Sequence, residues 1–191
     1  MKKKVFLFGL LFSLLLLCGC GVNLTSTVKL NKDFSGTRVM SCKEDLNKLI
    51  KESCPDALTY TSSSSDGNDT YTFYLRFSSL DDYKKKVRDL LNFSPEITYE
   101  YGDSPFVSGL IYKENFTSKD LMTWLYTALY EGKYIDKDSS SDLWDLKSTE
   151  ISFLGTTYET KDKINIDEMA YVPLSSIHID TKTKKSGKLA R

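Results

Sequence analysis

Apolar and polar positions follow two regimes along this chain. Residues 5–18 are apolar almost without interruption, broken only by Gly9 and Ser13. Beyond residue 22 the pattern alternates with the periods of strands and helices. Val28-Lys29-Leu30 and Thr37-Arg38-Val39-Met40 alternate on either side of a polar turn, residues 31–36. That predicts a β-hairpin with Gly36 near the tight position. Ser41-Cys42-Lys43-Glu44 has the form of a capping box and predicts a helix over 42–53, with Leu46, Leu49 and Ile50 on one face. Pro55 resists its continuation. Residues 58–61 read as a strand and 62–69 as a polar loop around Asp66-Gly67, a favoured turn pair. The strongest strand is TYTFYLRF, residues 70–77, which sets Tyr71, Phe73, Leu75 and Phe77 on one face and Thr72, Tyr74 and Arg76 on the other. Ser79-Leu80-Asp81-Asp82 then opens a helix whose Leu80, Tyr83, Val87, Leu90 and Leu91 recur at helical spacing. The first half therefore reads β-β-α-β-β-α, a sheet with helices on one side.

The second half is less regular. Residues 97–101 and 106–112 are strand candidates, and 117–131 reads as one helix. Leu121, Trp124, Leu125, Ala128 and Leu129 share a broad arc of it, with Met122 and Trp124 at the arc's edges and Tyr126 and Tyr130 outside. Such a wide apolar arc fits a helix buried on two sides, or one that walls an apolar ligand pocket through Leu121, Met122, Trp124, Leu125 and Leu129. Residues 136–142 form a polar loop; 150–154, 156–159, 163–166 and 177–180 are short strand candidates. The C-terminal IHIDTKTKKSGKLAR echoes the first hairpin. Either Leu189-Ala190-Arg191 is a short edge strand or the chain is a truncated version of a longer one. No period of 20–50 residues repeats, which argues against a solenoid.

The apolar run at the start follows Lys2-Lys3-Lys4 and is too short for the ~20 residues of a membrane-spanning helix. A basic n-region, an apolar h-region and a small residue before a cut describe a secretory leader. Its end, Leu17-Cys18-Gly19-Cys20, resembles the lipobox of bacterial lipoprotein precursors. The resemblance implies cleavage between Gly19 and Cys20 and a diacylglyceryl thioether, with further acylation such as palmitate, on Cys20. A thiolate is the nucleophile that such a thioether requires. Two or three acyl chains then hold a protein on a bilayer where one is marginal.

The lipobox, a short polar stretch, a strand with the Ser35-Gly36 turn and FSSLDDYKKKV (residues 77–87) together resemble bacterial lipoproteins of the LppM type, over residues 17–91. That resemblance implies an α+β envelope domain without enzymatic activity. Only Cys20, as the anchor, carries over from it.

Composition narrows the remaining possibilities. The leader holds three of the 26 basic residues, so the rest carries 23 against 26 acidic. A mildly acidic chain is a poor candidate for nucleic acid. Besides Cys18 and Cys20 there are Cys42 and Cys54. An exported location permits a disulfide between them, but a helix over 42–53 would separate them by about 18 Å, too far for one; the capping signal favours the helix and two thiols not joined to each other. The single histidine, His178, lies between Ile177 and Ile179 and rules out a multi-histidine zinc site. There is no nucleophile elbow, phosphate-binding loop or dinucleotide fingerprint. Asp136-Lys137-Asp138-Ser139-Ser140 opens like an EF-hand loop, but Ser141 and Lys147 stand where glycine and glutamate are needed. Lys182, Lys184, Lys185, Lys188 and Arg191 read as a solvated turn or as a contact for anionic headgroups.

The sequence thus predicts a signal peptide over 1–19, a tether over 20–26 and one compact α+β domain over 27–191, an antiparallel sheet with helices packed on one face. It predicts an exported, lipid-anchored protein of the cell membrane or envelope, without catalytic residues, metal or cofactor beyond the covalent acyl anchor. Its partners would be the membrane, through the anchor, and a protein, glycan or lipid ligand, with no nucleic acid. The expected role is a non-catalytic binding or interaction domain; the alternative is a lipid-binding or lipid-handling one.

Overall fold

A computed structural model describes residues 22–43, 47–65, 68–132 and 144–171. The leader with Gly19 and Cys20, the 136–142 loop, His178 and the C-terminal basic segment lie outside the described residues. The first hairpin joins β1 (Val22–Leu30) to β2 (Gly36–Lys43). Residues 22–26, expected in the tether, are already part of β1. Gly36 is required where it stands. A Cβ there would lie 2.1 Å from the Lys29 carbonyl oxygen and 3.0 Å from the Phe77 ring. The left-handed backbone of this turn falls instead on Phe34, at φ 57°, which drops its ring into the core.

The expected helix over 42–53 is shorter. β2 continues through Lys43, and α1 spans only Asn47–Ser53. Ser41 faces the neighbouring strand and donates to Thr72 Oγ1 at 3.0 Å. Alternation with Met40 and Cys42 on the buried face outweighs the local capping signal. Cys42 therefore lies on a strand and Cys54 just beyond α1, and the two are not joined to each other.

β3 (Thr59–Ser65) and β4 (Asn68–Phe77) pair in register from Thr59↔Tyr74 to Ser65↔Asn68. Four serines expected in a loop are thus strand residues. An edge strand open to solvent on most of its surface needs no apolar alternation. β4 has the predicted faces, with Tyr71, Phe73, Leu75 and Phe77 all buried. α2 (Leu80–Leu91) starts at Ser79, whose Oγ accepts from the Asp82 amide. It ends at Asn92 in the left-handed region, where asparagine is tolerated.

β5 (Ile97–Asp103) and β6 (Val107–Glu114) form a second hairpin. The helix expected over 117–131 is two, α3 (Ser118–Leu121) and α4 (Thr123–Glu131). They are separated at Met122, whose φ −99° and ψ 8° leave the helical range. The break lets Leu121 and Met122, neighbours in sequence, both enter the core. β7 (Trp144–Phe153), β8 (Thr156–Thr160) and β9 (Asn165–Tyr171) follow.

The strands make two sheets, a six-stranded one in the order β3-β4-β2-β1-β7-β8 and a three-stranded one in the order β5-β6-β9. The expected single antiparallel sheet is corrected on two counts. The large sheet is mixed, because β7 returns beside β1 in parallel, which a long crossover permits. And the second sheet shares the buried face of the first with the helices. Tyr83 of α2 stacks on Phe77 at 4.2 Å and Trp124 of α4 meets Phe73 at 5.5 Å. From the small sheet, Tyr101 meets Phe153 at 5.0 Å and Tyr112 stacks on Phe34 at 6.2 Å. All of these belong to one continuous core.

Between Leu24 and Ser26 the pairing partner on β7 jumps from Leu146 to Thr149. One extra residue in β7 therefore keeps two positions an odd number apart on the same face. The Gly36→Ala variant should lose about 1–3 kcal/mol, because its methyl group meets rigid backbone. Urea denaturation against the parent checks this.

Candidate functional site

Three strands each carry an ionisable residue in phase with their core positions. Arg38 on β2 is in step with Met40 and Cys42; Glu114 on β6 with Leu110 and Tyr112; Glu168 on β9 with Ile164 and Ile166. Side chains two apart on a strand share a face, so Arg38 and Glu114 point into the core, while Glu168, in the same phase on β9, is exposed.

Arg38 and Glu114 meet at the centre. Both side chains are 0% exposed, and Arg38 Nη1 donates to Glu114 Oε2 at 2.6 Å. Nη1 also reaches the Tyr83 hydroxyl at 2.7 Å, and Nε donates to Ser118 Oγ at 2.8 Å. Ser118 Oγ in turn bonds Ser26 Oγ on β1. The other Glu114 oxygen accepts from Tyr83 at 2.9 Å and from Tyr112 at 2.8 Å. The Phe116 ring lies 5.4 Å from the guanidinium. One cluster thus ties β1, β2, α2, β6 and α3 together.

Burial pushes the Tyr83 phenol up and, with a smaller push from the Glu114 carboxylate, outweighs the opposing pull of Arg38. Tyr112 is raised by burial and then by Glu114. Burial alone would lower Arg38, but Glu114 and Tyr83 reverse this and hold it above its usual range. The cluster is charged, hydrogen-bonded and closed to solvent, which makes it a pin between the sheets and leaves no face for a substrate.

Glu168 differs because it lies where the sheets part. β7 and β8 turn at Leu154-Gly155, both with positive φ, 47° and 83°. Two-residue hairpins favour this, and asparagine or glycine usually supplies it. A leucine held left-handed costs about 1–3 kcal/mol, yet here its side chain projects into solvent, 55% exposed. It forms one rim of a cleft of about 360 Å³ between the β7–β8 hairpin and β6–β9. Tyr101, Phe153 and Tyr158 give the cleft aromatic surface, while Ser108, Thr156 and Glu168 give it polar groups. Tyr158 pairs with Ile151 and so faces inward at the end of its row. Burial raises its phenol, and the negative charge of the nearby Glu168 carboxylate raises it further. Gly109 sets the position of Glu168. At φ 135° a Cβ would lie 1.8 Å from the Glu168 carbonyl oxygen, so only glycine lets β9 approach this closely.

The residues expected to wall a pocket lie elsewhere. Leu121, Met122, Leu125 and Leu129 are buried in the shared core, and Trp124 packs against it, so their side chains face packed neighbours. None of them lines the cleft. Cys54 is half-buried; burial and then Asp56 raise its thiol, which disfavours the reactive thiolate. Among the described residues no group of three or more His, Cys, Asp or Glu could hold a metal ion. No helix among them is long and apolar enough to cross a membrane.

No protein-family model matches the chain, and no curated protein matches it. Among solved structures it is weakly similar to the folded domain of the LppM protein of Mycobacterium tuberculosis. The TM-score is 0.35 and the identity 11%, over 80% of this chain and 87% of that one.

Two outcomes test the central pin. Glu114→Gln should cost about 3–5 kcal/mol, because it strands a buried guanidinium, whereas Arg38→Met with Glu114→Leu should recover most of that loss; equilibrium denaturation of the three chains decides. The pH response follows from the raised phenols. A group with a folded pKa above its unfolded one stabilises fully below the unfolded value and less as pH climbs past it. Stability should therefore fall as pH rises beyond the ordinary tyrosine value of 10.0. In ultraviolet titration at rising pH, Tyr83 and Tyr112 should ionise only as the fold is lost.

Proposed function

We propose that this protein is a lipid-anchored component of a bacterial cell envelope whose folded part is a non-catalytic binding domain. The observation that carries this reading is Leu17-Cys18-Gly19-Cys20 placed directly before the sheet, since β1 begins at Val22. Two residues span at most about 7 Å. Lipidation of Cys20 would therefore hold the domain against the bilayer by the start of β1.

The sheet supplies a direction. β1 runs nine residues, about 26 Å at the rise of a strand. Val22 pairs with Trp144 at one end, and Leu30 pairs with Phe153 at the other. The Leu154-Gly155 turn and the cleft beside it therefore lie toward the end remote from the anchor. That placement supports an outward-facing binding role. The non-catalytic reading is supported by the ionisable groups of the interior, which spend their hydrogen bonds on one another.

Metabolic labelling with an alkyne palmitate analogue tests the anchor. The parent chain should take up label and lose its leader. Cys20→Ala should take up none and keep the full 21.8 kDa mass before any modification. Labelling that survives this substitution, or normal processing of the variant, would refute the reading.

A further inference from the structure

We propose that the cleft between the β7–β8 hairpin and β6–β9 binds a saccharide, presented by a glycan chain beyond the membrane. This rests on the reading of the folded part as an outward-facing binding domain and names its ligand class. The cleft, about 360 Å³, falls at the lower end of the about 300–1,000 Å³ usual for small-ligand sites. Its surface alternates in kind. Tyr101 and Leu154 offer apolar faces; Ser108, Thr156, Tyr158 and Glu168 offer hydroxyls and a carboxylate. A pyranose has the matching pattern, with C–H groups on its faces and hydroxyls around its edge.

Other ligand classes fit less well. An acyl chain would strip water from the hydroxyls and the carboxylate without replacing their hydrogen bonds, which is unfavourable. A cationic ligand would meet a resident charge, because Lys32 Nζ already lies 5.5 Å from the centre of the Tyr101 ring, held there by Asp103. A phosphate would face Glu168. A neutral polyhydroxylated ring meets none of these penalties, and its hydroxyls can donate to Glu168.

Two features of the backbone are arranged around this surface. Gly109 admits β9 closely enough to place Glu168 at the cleft, and the left-handed Leu154 holds an apolar side chain out at the rim. Glu168 sits opposite Leu110 on β6 but is itself exposed, so its carboxylate is open to a ligand. The cleft lies toward the end of β1 remote from Val22, so on the proposed anchoring a chain arriving from outside reaches it more readily than a glycolipid of the same membrane.

The test is protein-observed NMR on the full chain in phospholipid nanodiscs, titrated separately with chitotetraose, cellotetraose, maltotetraose and mannotetraose. Sodium decanoate and choline chloride are the acyl and cationic probes. The expected result is saturable binding of at least one tetrasaccharide, with Kd no weaker than about 1 mM, and shifts centred on Tyr101, Tyr158 and Glu168. Glu168→Ala and Tyr158→Phe, which keeps the ring packed and removes only the hydroxyl, should each weaken it at least tenfold with an unchanged melting temperature. Leu154→Gly should weaken it while leaving the melting temperature equal or higher, since glycine relieves the turn. The proposal is overturned if no tetrasaccharide binds, if binding is indifferent to these substitutions, or if decanoate or choline binds the cleft in preference. Acylation of Cys20 with no saccharide bound would sink this inference alone; binding without acylation would sink the anchor and spare the cleft.

Discussion

The fold depends on a single charged contact. Arg38 and Glu114 come from different sheets, and neither can be buried without the other. An isolated ion in a protein interior carries a penalty of several kcal/mol, which only a close partner with saturated hydrogen bonds can offset. Two tyrosines and two serines supply most of those bonds, and Arg38 Nη2 is left buried without a partner among the described residues. Because the requirement is geometric, it fixes more than an apolar contact would. Apolar faces can slide past each other at small cost, whereas the guanidinium and carboxylate accept one register. The small sheet, α2 and α3 are thereby set against the large sheet at defined positions.

The same constraint explains where the molecule opens. Close contact at Arg38 and at the Phe34 plug brings the sheets together near β2 and the β1–β2 turn. Phe34 lies within 4.4 Å of Tyr99 and 5.8 Å of Phe153, measured between ring centres. Sheets twist, so faces that meet at one place separate at another. Here they separate along β8 and β9, where the rows of inward residues run out at Tyr158 and Glu168. The cleft is thus a consequence of how the pin and the plug are placed. Its polar lining occupies the inward positions that the core cannot close over.

Much of the first half could be read from residue order alone. The faces of β4, the Ser79 cap and the first hairpin are local, and local signals agree there. The failures have a shared cause, which is that distant partners decided the outcome. Ser41 and Glu44 spell a helix start, but β4 lay beside Ser41 and kept it in a strand. The serines of β3 carry no strand signal because an edge strand buries little. The bulge in β7 breaks the alternation that would have shown residues 144–149 as a strand. The parallel partner of β1 lies over a hundred residues away, beyond any local pattern. The site was more legible than the reading made of it: once Met40 is assigned inward, Arg38 must be inward too, and a buried arginine demands an acid. The identity of that acid, Glu114 on a second sheet, was a matter of topology.

The position of β1 unites these features with the proposed anchor. It is an inner strand, hydrogen-bonded to β2 on one side and to β7 on the other, and Ser26 links it to the polar cluster through Ser118. On the proposed reading, any force between the membrane and a ligand held at the cleft enters the domain through Val22. To extract β1, that force would have to shear two ladders along their length, rather than open one pair at a time as at an edge. A tether attached to β3 or β8 would meet only one ladder. The strand that follows the lipobox is therefore well suited to carry the rest of the molecule, and it ends at Leu30, paired with Phe153, one residue from the exposed leucine of the rim. Anchor and cleft stand at opposite ends of the same pair of strands.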